Sequence, residues 1–72
     1  MSQEDEEIKR IKAQGEFSND SETIKRSIDA LAGYGTRAIS DIVDVIDSSP
    51  HSEIEAYGLA VIERLKKDSS NL

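Results

Sequence analysis

The sequence has no cysteine and no tryptophan, and only one proline, one histidine and one methionine. Without cysteine, a disulfide scaffold and a cysteine-based zinc site are both excluded. Aromatic residues are scarce: Phe17, Tyr34 and Tyr57 are the full set. No apolar run approaches the roughly 18 residues that a membrane span needs. The leading residues, Ser2-Gln3-Glu4-Asp5-Glu6-Glu7, lack the basic-then-apolar order of a secretory signal, so the expected location is the cytoplasm. Basic residues are in the minority, nine against fifteen acids, for a net charge of −6. No basic tail or stripe is present, which argues against non-specific binding to nucleic acid or anionic lipid. At 72 residues the chain holds one small domain.

The acidic excess is even, −3 in residues 1–36 and −3 in residues 37–72. Two patches stand out. Glu4 to Glu7 are all acidic, and residues 38–63 contain no lysine or arginine while carrying Asp41, Asp44, Asp47, Glu53 and Glu55. Such a stretch is either a docking face for a basic partner or simply a solvated helix surface.

Turn signals divide the chain into four helical segments. Residues 4–14 have acids early and bases late, which suits the helix dipole. Ile8 and Ile11 are their only large apolar residues, so this helix is expected to be weak and to stop at Gly15. Ser18-Asn19-Asp20-Ser21 is a dense start signal. With Asn19 as N-cap, Glu22 completes a capping box. Ile24, Ile28 and Leu31 then share one face up to about Ala32, where Gly33-Tyr34-Gly35 ends the helix. The third segment, 36–48, has a stripe of Ile39, Ile42, Val43 and Ile46, with Ala38 and Val45 to one side. Pro50 breaks the chain. Ser52 and Glu55 form a second capping box, and Ile54, Gly58, Val61, Ile62 and Leu65 make a buried face flanked by Tyr57. Residues 68–72 read as a loose tail. No alternating strand pattern competes. The expected fold is all-α, a small domain of three or four antiparallel helices.

From residue 20 the chain resembles a short HEAT-type helical repeat. The matching pieces are Glu22-Thr23-Ile24-Lys25-Arg26, Ala30-Leu31, Gly35, Ala38-Ile39, Ile42 and Ile46-Asp47. The pattern restarts at Glu53-Ile54-Glu55, with Gly58, Val61, Ile62 and Leu65. Ile24 and Ile54 are 30 residues apart, close to the period of such repeats. Glu55 stands where a basic residue is usual and Gly58 where alanine is. The resemblance implies antiparallel helical hairpins over 20–67 and a scaffold or protein-binding role without catalysis. One and a half repeats cannot bury a continuous core alone. The first helix must then act as a cap, or the chain must self-associate.

Residues 28–42 also resemble a helix-hairpin-helix, whose glycine hairpin grips a DNA phosphate through backbone amides. On that resemblance Gly33, Gly35, Thr36 and Arg37 would be the nucleic-acid-binding residues. Tyr34 departs from the usual aliphatic residue, and no basic cluster surrounds the hairpin.

His51 is the only imidazole, and one histidine without cysteine is not a metal-ligand set. Asp41, Asp44 and Asp47 lack the loop and glycine of a calcium site. None of the serines sits in a nucleophile turn beside a base. No cofactor, metal or catalytic group is therefore expected. Gly58 inside a helix costs about 1 kcal/mol against alanine, so close approach of another helix is expected there, from this chain or a second copy. Val45 and Leu59 lie off the main stripes and are either exposed, covered by the first helix, or part of a partner surface with Tyr34. The expected function is a non-catalytic interaction module, docking a partner with a basic patch or forming a homodimer. The candidate contact residues are Tyr34, Asp41, Asp44, Asp47, His51 and Leu59.

Overall fold

A computed structural model describes residues 3–70. Four α-helices account for most of them, with no strand among the described residues: α1 (Gln3–Glu16), α2 (Ser21–Ala32), α3 (Ile39–Ser48) and α4 (Ser52–Ser70). A 3-10 turn, Gly35–Ala38, leads into α3. The all-α expectation holds. α1 packs on α2 and α3, and α4 packs on α2, α3 and the 3-10 turn. The α2–α3 pair is thus covered from either side. Two cross-links define the ends. His51 reaches Asn19 at one end, and Arg37 reaches Glu4 and Asp5 at the other. Successive helices therefore run antiparallel.

The core is mostly isoleucine. Ile8, Ile24, Ile28, Leu31, Ala38, Ile42, Val45, Ile54 and Ile62 are buried. Each isoleucine, leucine or valine among them contributes about 1.5–3 kcal/mol when fully buried. Ile11, Ile39, Ile46, Tyr57, Val61 and Leu65 pack around them, half-exposed.

Several local expectations are corrected, and one question that the sequence leaves open is answered: the first helix docks, with Ile8 and Gly15 buried. It does not stop at Gly15; the Phe17 amide still bonds the Ala13 carbonyl at 3.0 Å. Gly15 is there for space. A Cβ on it would lie 2.9 Å from Val45 Cγ1 and 3.0 Å from Ser27 Cβ. That contact is why Val45, off the predicted stripe, is wholly buried, while Val43, on it, is exposed. α1 covers the Val45 side of α3 and leaves the Val43 side open.

The N-cap of α2 is Asp20, one residue later than Asn19. Its Oδ2 accepts the Thr23 amide (3.1 Å) and the Thr23 hydroxyl (2.8 Å), and Ser18 Oγ accepts the Asp20 amide (3.0 Å). The Thr23 hydroxyl and amide hold the Asp20 carboxyl below its usual range. Ser52 is already helical, so α4 starts a residue ahead of the expected capping box, with the Ile54 amide bonded to the His51 carbonyl. α4 also continues to Ser70, so most of the expected tail is helix; residues 71–72 lie outside the described residues. Gly58 meets Ile46 of α3, whose side chain occupies the space a Cβ would need. The close approach it demands comes from within the chain.

Candidate interaction surface

The six predicted contact residues do not form one open patch. Tyr34 follows α2, and its hydroxyl donates to Glu7 Oε2 at 2.7 Å. That carboxylate raises the tyrosine pKa. Asp41 and Asp44 lie a turn apart on α3 and share a cation from α1. Lys12 Nζ is 2.9 Å from Asp44 Oδ2 and 3.9 Å from Asp41 Oδ1. The hydrogen bond to Asp44 raises the lysine pKa. The stretch that is base-free in sequence therefore has a base in space, because α1 crosses α3. His51 sits in the loop between α3 and α4 and contacts the Asn19 carbonyl through Nε2 at 2.7 Å. A carbonyl only accepts, so Nε2 carries the proton. Asp47 is exposed on α3, and Leu59 is exposed on α4.

The predicted phosphate-binding hairpin is engaged within the chain. The Gly33 amide bonds the Ala30 carbonyl at 3.2 Å. Arg37 splits its guanidinium between Glu4 Oε2 (2.8 Å) and Asp5 Oδ1 (2.6 Å). Gly35 has φ +81°, a left-handed turn that favours glycine without any ligand. Thr36 is exposed beside it.

Exposed large apolar residues are the features sequence reasoning only partly found: Phe17 (87 % exposed), Leu59 (51 %) and Val43 (39 %). Phe17 stands on the turn after α1. Val43 and Leu59 belong together. Gly58 faces Ile46 of α3, while the Tyr57 hydroxyl reaches Asp29 of α2 and has its pKa raised by that carboxylate. A helix turns about 100° per residue, so Leu59, one step beyond Gly58, lies on the α3 side of α4. Val43 is one turn before Ile46 on the antiparallel neighbour. The two side chains flank the same seam, with Asp47 one turn beyond Val43. Exposed Ala56 and Ala60 adjoin Leu59 on the outer side of α4. The sequence signal for Val43 was indistinguishable from a core signal, since only the placement of α1 decides which side of α3 is covered.

Among the described residues no group of three or more His, Asp or Glu is arranged to hold a metal ion. Nor is any described helix long and apolar enough to cross a membrane. No protein-family profile, curated protein or solved structure matches this chain.

Proposed function

We propose that this chain is a non-catalytic protein-interaction module whose contact surface is the outer side of the α3–α4 hairpin. The observation that carries the reading is the pair Val43 and Leu59, two large aliphatics exposed on adjacent helices beside one seam. Exposed aliphatics scattered singly are ordinary, whereas adjacent ones rimmed by charge are typical of contact sites. Asp47 and Glu55 supply such a rim. The acidic α3 surface contributes less than its sequence suggests, because Lys12 offsets Asp41 and Asp44.

A photo-crosslinking residue at position 59, in cells that make the protein naturally, tests this. Adducts of higher mass are expected at position 59 and not at exposed Arg26 on α2. Equal yields at the two positions would remove the reading. The DNA alternative has its own check. A DNA duplex titrated at low salt should leave the amide signals of residues 33–37 unmoved, since Arg37 would have to leave Glu4 and Asp5 to reach a phosphate. Saturable, salt-sensitive shifts there would make it a nucleic-acid module.

A further inference from the structure

We infer that the occupant of the α4 face is a second copy of this chain, bound antiparallel about a two-fold axis near Ala60. This deepens the interaction reading above and rests on it. α4 has 19 residues, so it is about 28 Å long. Its first turn carries acids and no base, and all its bases lie in the later turns, where Glu63 and Asp68 stand among them. Glu53 and Glu55 occupy the first turn, and Arg64, Lys66 and Lys67 the later turns, with Leu59 and Ala60 between them; all seven are exposed.

Glu55, Leu59 and Lys66 share one edge of the helix, being four and seven residues apart. In an antiparallel pair of identical helices, like edges meet. With the axis near Ala60, residue 55 of one copy lies opposite residue 66 of the other. Glu55 then faces Lys66 twice, once on each side of the axis, and Leu59 of each copy lies level with residue 62 of the other, close to its Ala60. A parallel pair would instead place Glu55 against Glu55 and Lys66 against Lys66. The Glu55–Lys66 edge thus favours the two-fold, self-complementary arrangement, which closes at two copies. A basic partner protein would match Glu55 and be repelled by Lys66; a second copy matches both.

The contact is one helix on one helix, so it falls at the small end of specific interfaces, below about 1,200 Å² in total. Weak, salt-sensitive association follows, and it is sought at high protein concentration.

Sedimentation equilibrium of the full chain, at concentrations from ten micromolar to one millimolar, provides the test. The weight-average mass should rise from 7.9 kDa toward twice that value, less so in high salt. Leu59→Lys keeps favourable spacing to Glu55 and Glu63 within its own helix, and should hold the chain monomeric at every concentration. Glu55→Lys and Lys66→Glu should each weaken dimerisation about tenfold, and the double swap should restore it to within about threefold. Circular dichroism confirms that the variants stay helical. A chain that stays monomeric throughout, a dimer indifferent to Leu59→Lys, or a double swap that fails to rescue would each overturn the inference. If the chain stays monomeric while position 59 crosslinks a different protein, self-association falls and the interaction reading stands. If crosslinking at 59 also fails, both fall.

Discussion

Glycines 15 and 58 show how one residue type marks the two places where the outer helices press on the central pair. Each lies inside a helix, and at each an added Cβ would overlap a β-branched side chain, Val45 or Ile46. Alanine gains about 1 kcal/mol of helix propensity over glycine, while overpacking a filled site costs about 1–3 kcal/mol. At Gly15 the neighbours are a fully buried valine and the Cβ of Ser27, so little can move. Gly15→Ala should therefore lower stability by about 1–2 kcal/mol in urea unfolding. At Gly58 the obstacle is the outer part of half-buried Ile46. Gly58→Ala should cost less, and combining it with Ile46→Val should lose less than the sum of the two single changes. Strict additivity would mean that the two residues do not touch. The reasoning that a helical glycine implies close approach was sound for Gly58. The same reasoning applied to Gly15, but a glycine followed by turn-forming residues resembles a stop, and only the burial of Val45 separates the two cases. Capping was legible to within one residue. Asn19 and Asp20 are both good caps, and what separates them is Thr23, which offers Asp20 two donors. Asp20→Ala should lower the melting temperature and Asn19→Ala should leave it nearly unchanged, because the bond from His51 goes to the Asn19 backbone.

The first helix is held differently from the other three. It buries only Ile8 and Gly15 fully, and much of its docking is polar: Glu4 and Asp5 to Arg37, Glu7 to Tyr34, and Lys12 to Asp41 and Asp44. The sequence showed a helix with too few apolar residues to dock by burial. It could not show the long-range ion pairs, because their partners lie about thirty positions away. The third helix presents the complementary case. Its apolar residues spread over about 160° of its circumference, so periodicity alone could not tell which part of that arc faces inward. The answer depends on α1. The ion pairs of α1 are half-exposed, and such pairs contribute little and are screened by salt. Arg37→Ala should therefore leave the global unfolding midpoint nearly unmoved. It should speed hydrogen exchange of the α1 backbone amides, and 0.5 M salt should do the same to the unaltered chain. Unchanged exchange in α1 would mean that Ile8 and Gly15 alone seat the helix.

The whole molecule couples its helices through carboxylates, and that gives its stability a definite response to alkali. Tyr34 on the α2 end donates its phenolic proton to Glu7 of α1, and Tyr57 of α4 donates to Asp29 of α2. Each carboxylate favours the protonated phenol, so both tyrosines ionise above the ordinary value of 10.0 in the folded chain. Unfolding releases them to ionise at their ordinary value. Between the two values the unfolded chain has lost protons that the folded chain keeps, so rising pH favours unfolding. Lys12 acts in the same sense, with its folded pKa raised above 10.5 by Asp44. This stabilisation is complete below about pH 10 and is lost as pH climbs through the folded values. The melting temperature should accordingly be flat from about pH 7 to 9.5 and fall beyond pH 10. The double variant Tyr34→Phe, Tyr57→Phe should be less stable at neutral pH and show a shallower alkaline fall, the remainder belonging to Lys12 and to growing repulsion in a chain already at −6. If the double variant falls as steeply as the original, the phenol–carboxylate bonds do not tie α1 to the α2 end or α4 to α2 in solution, and the flanking helices would be seated by apolar packing alone.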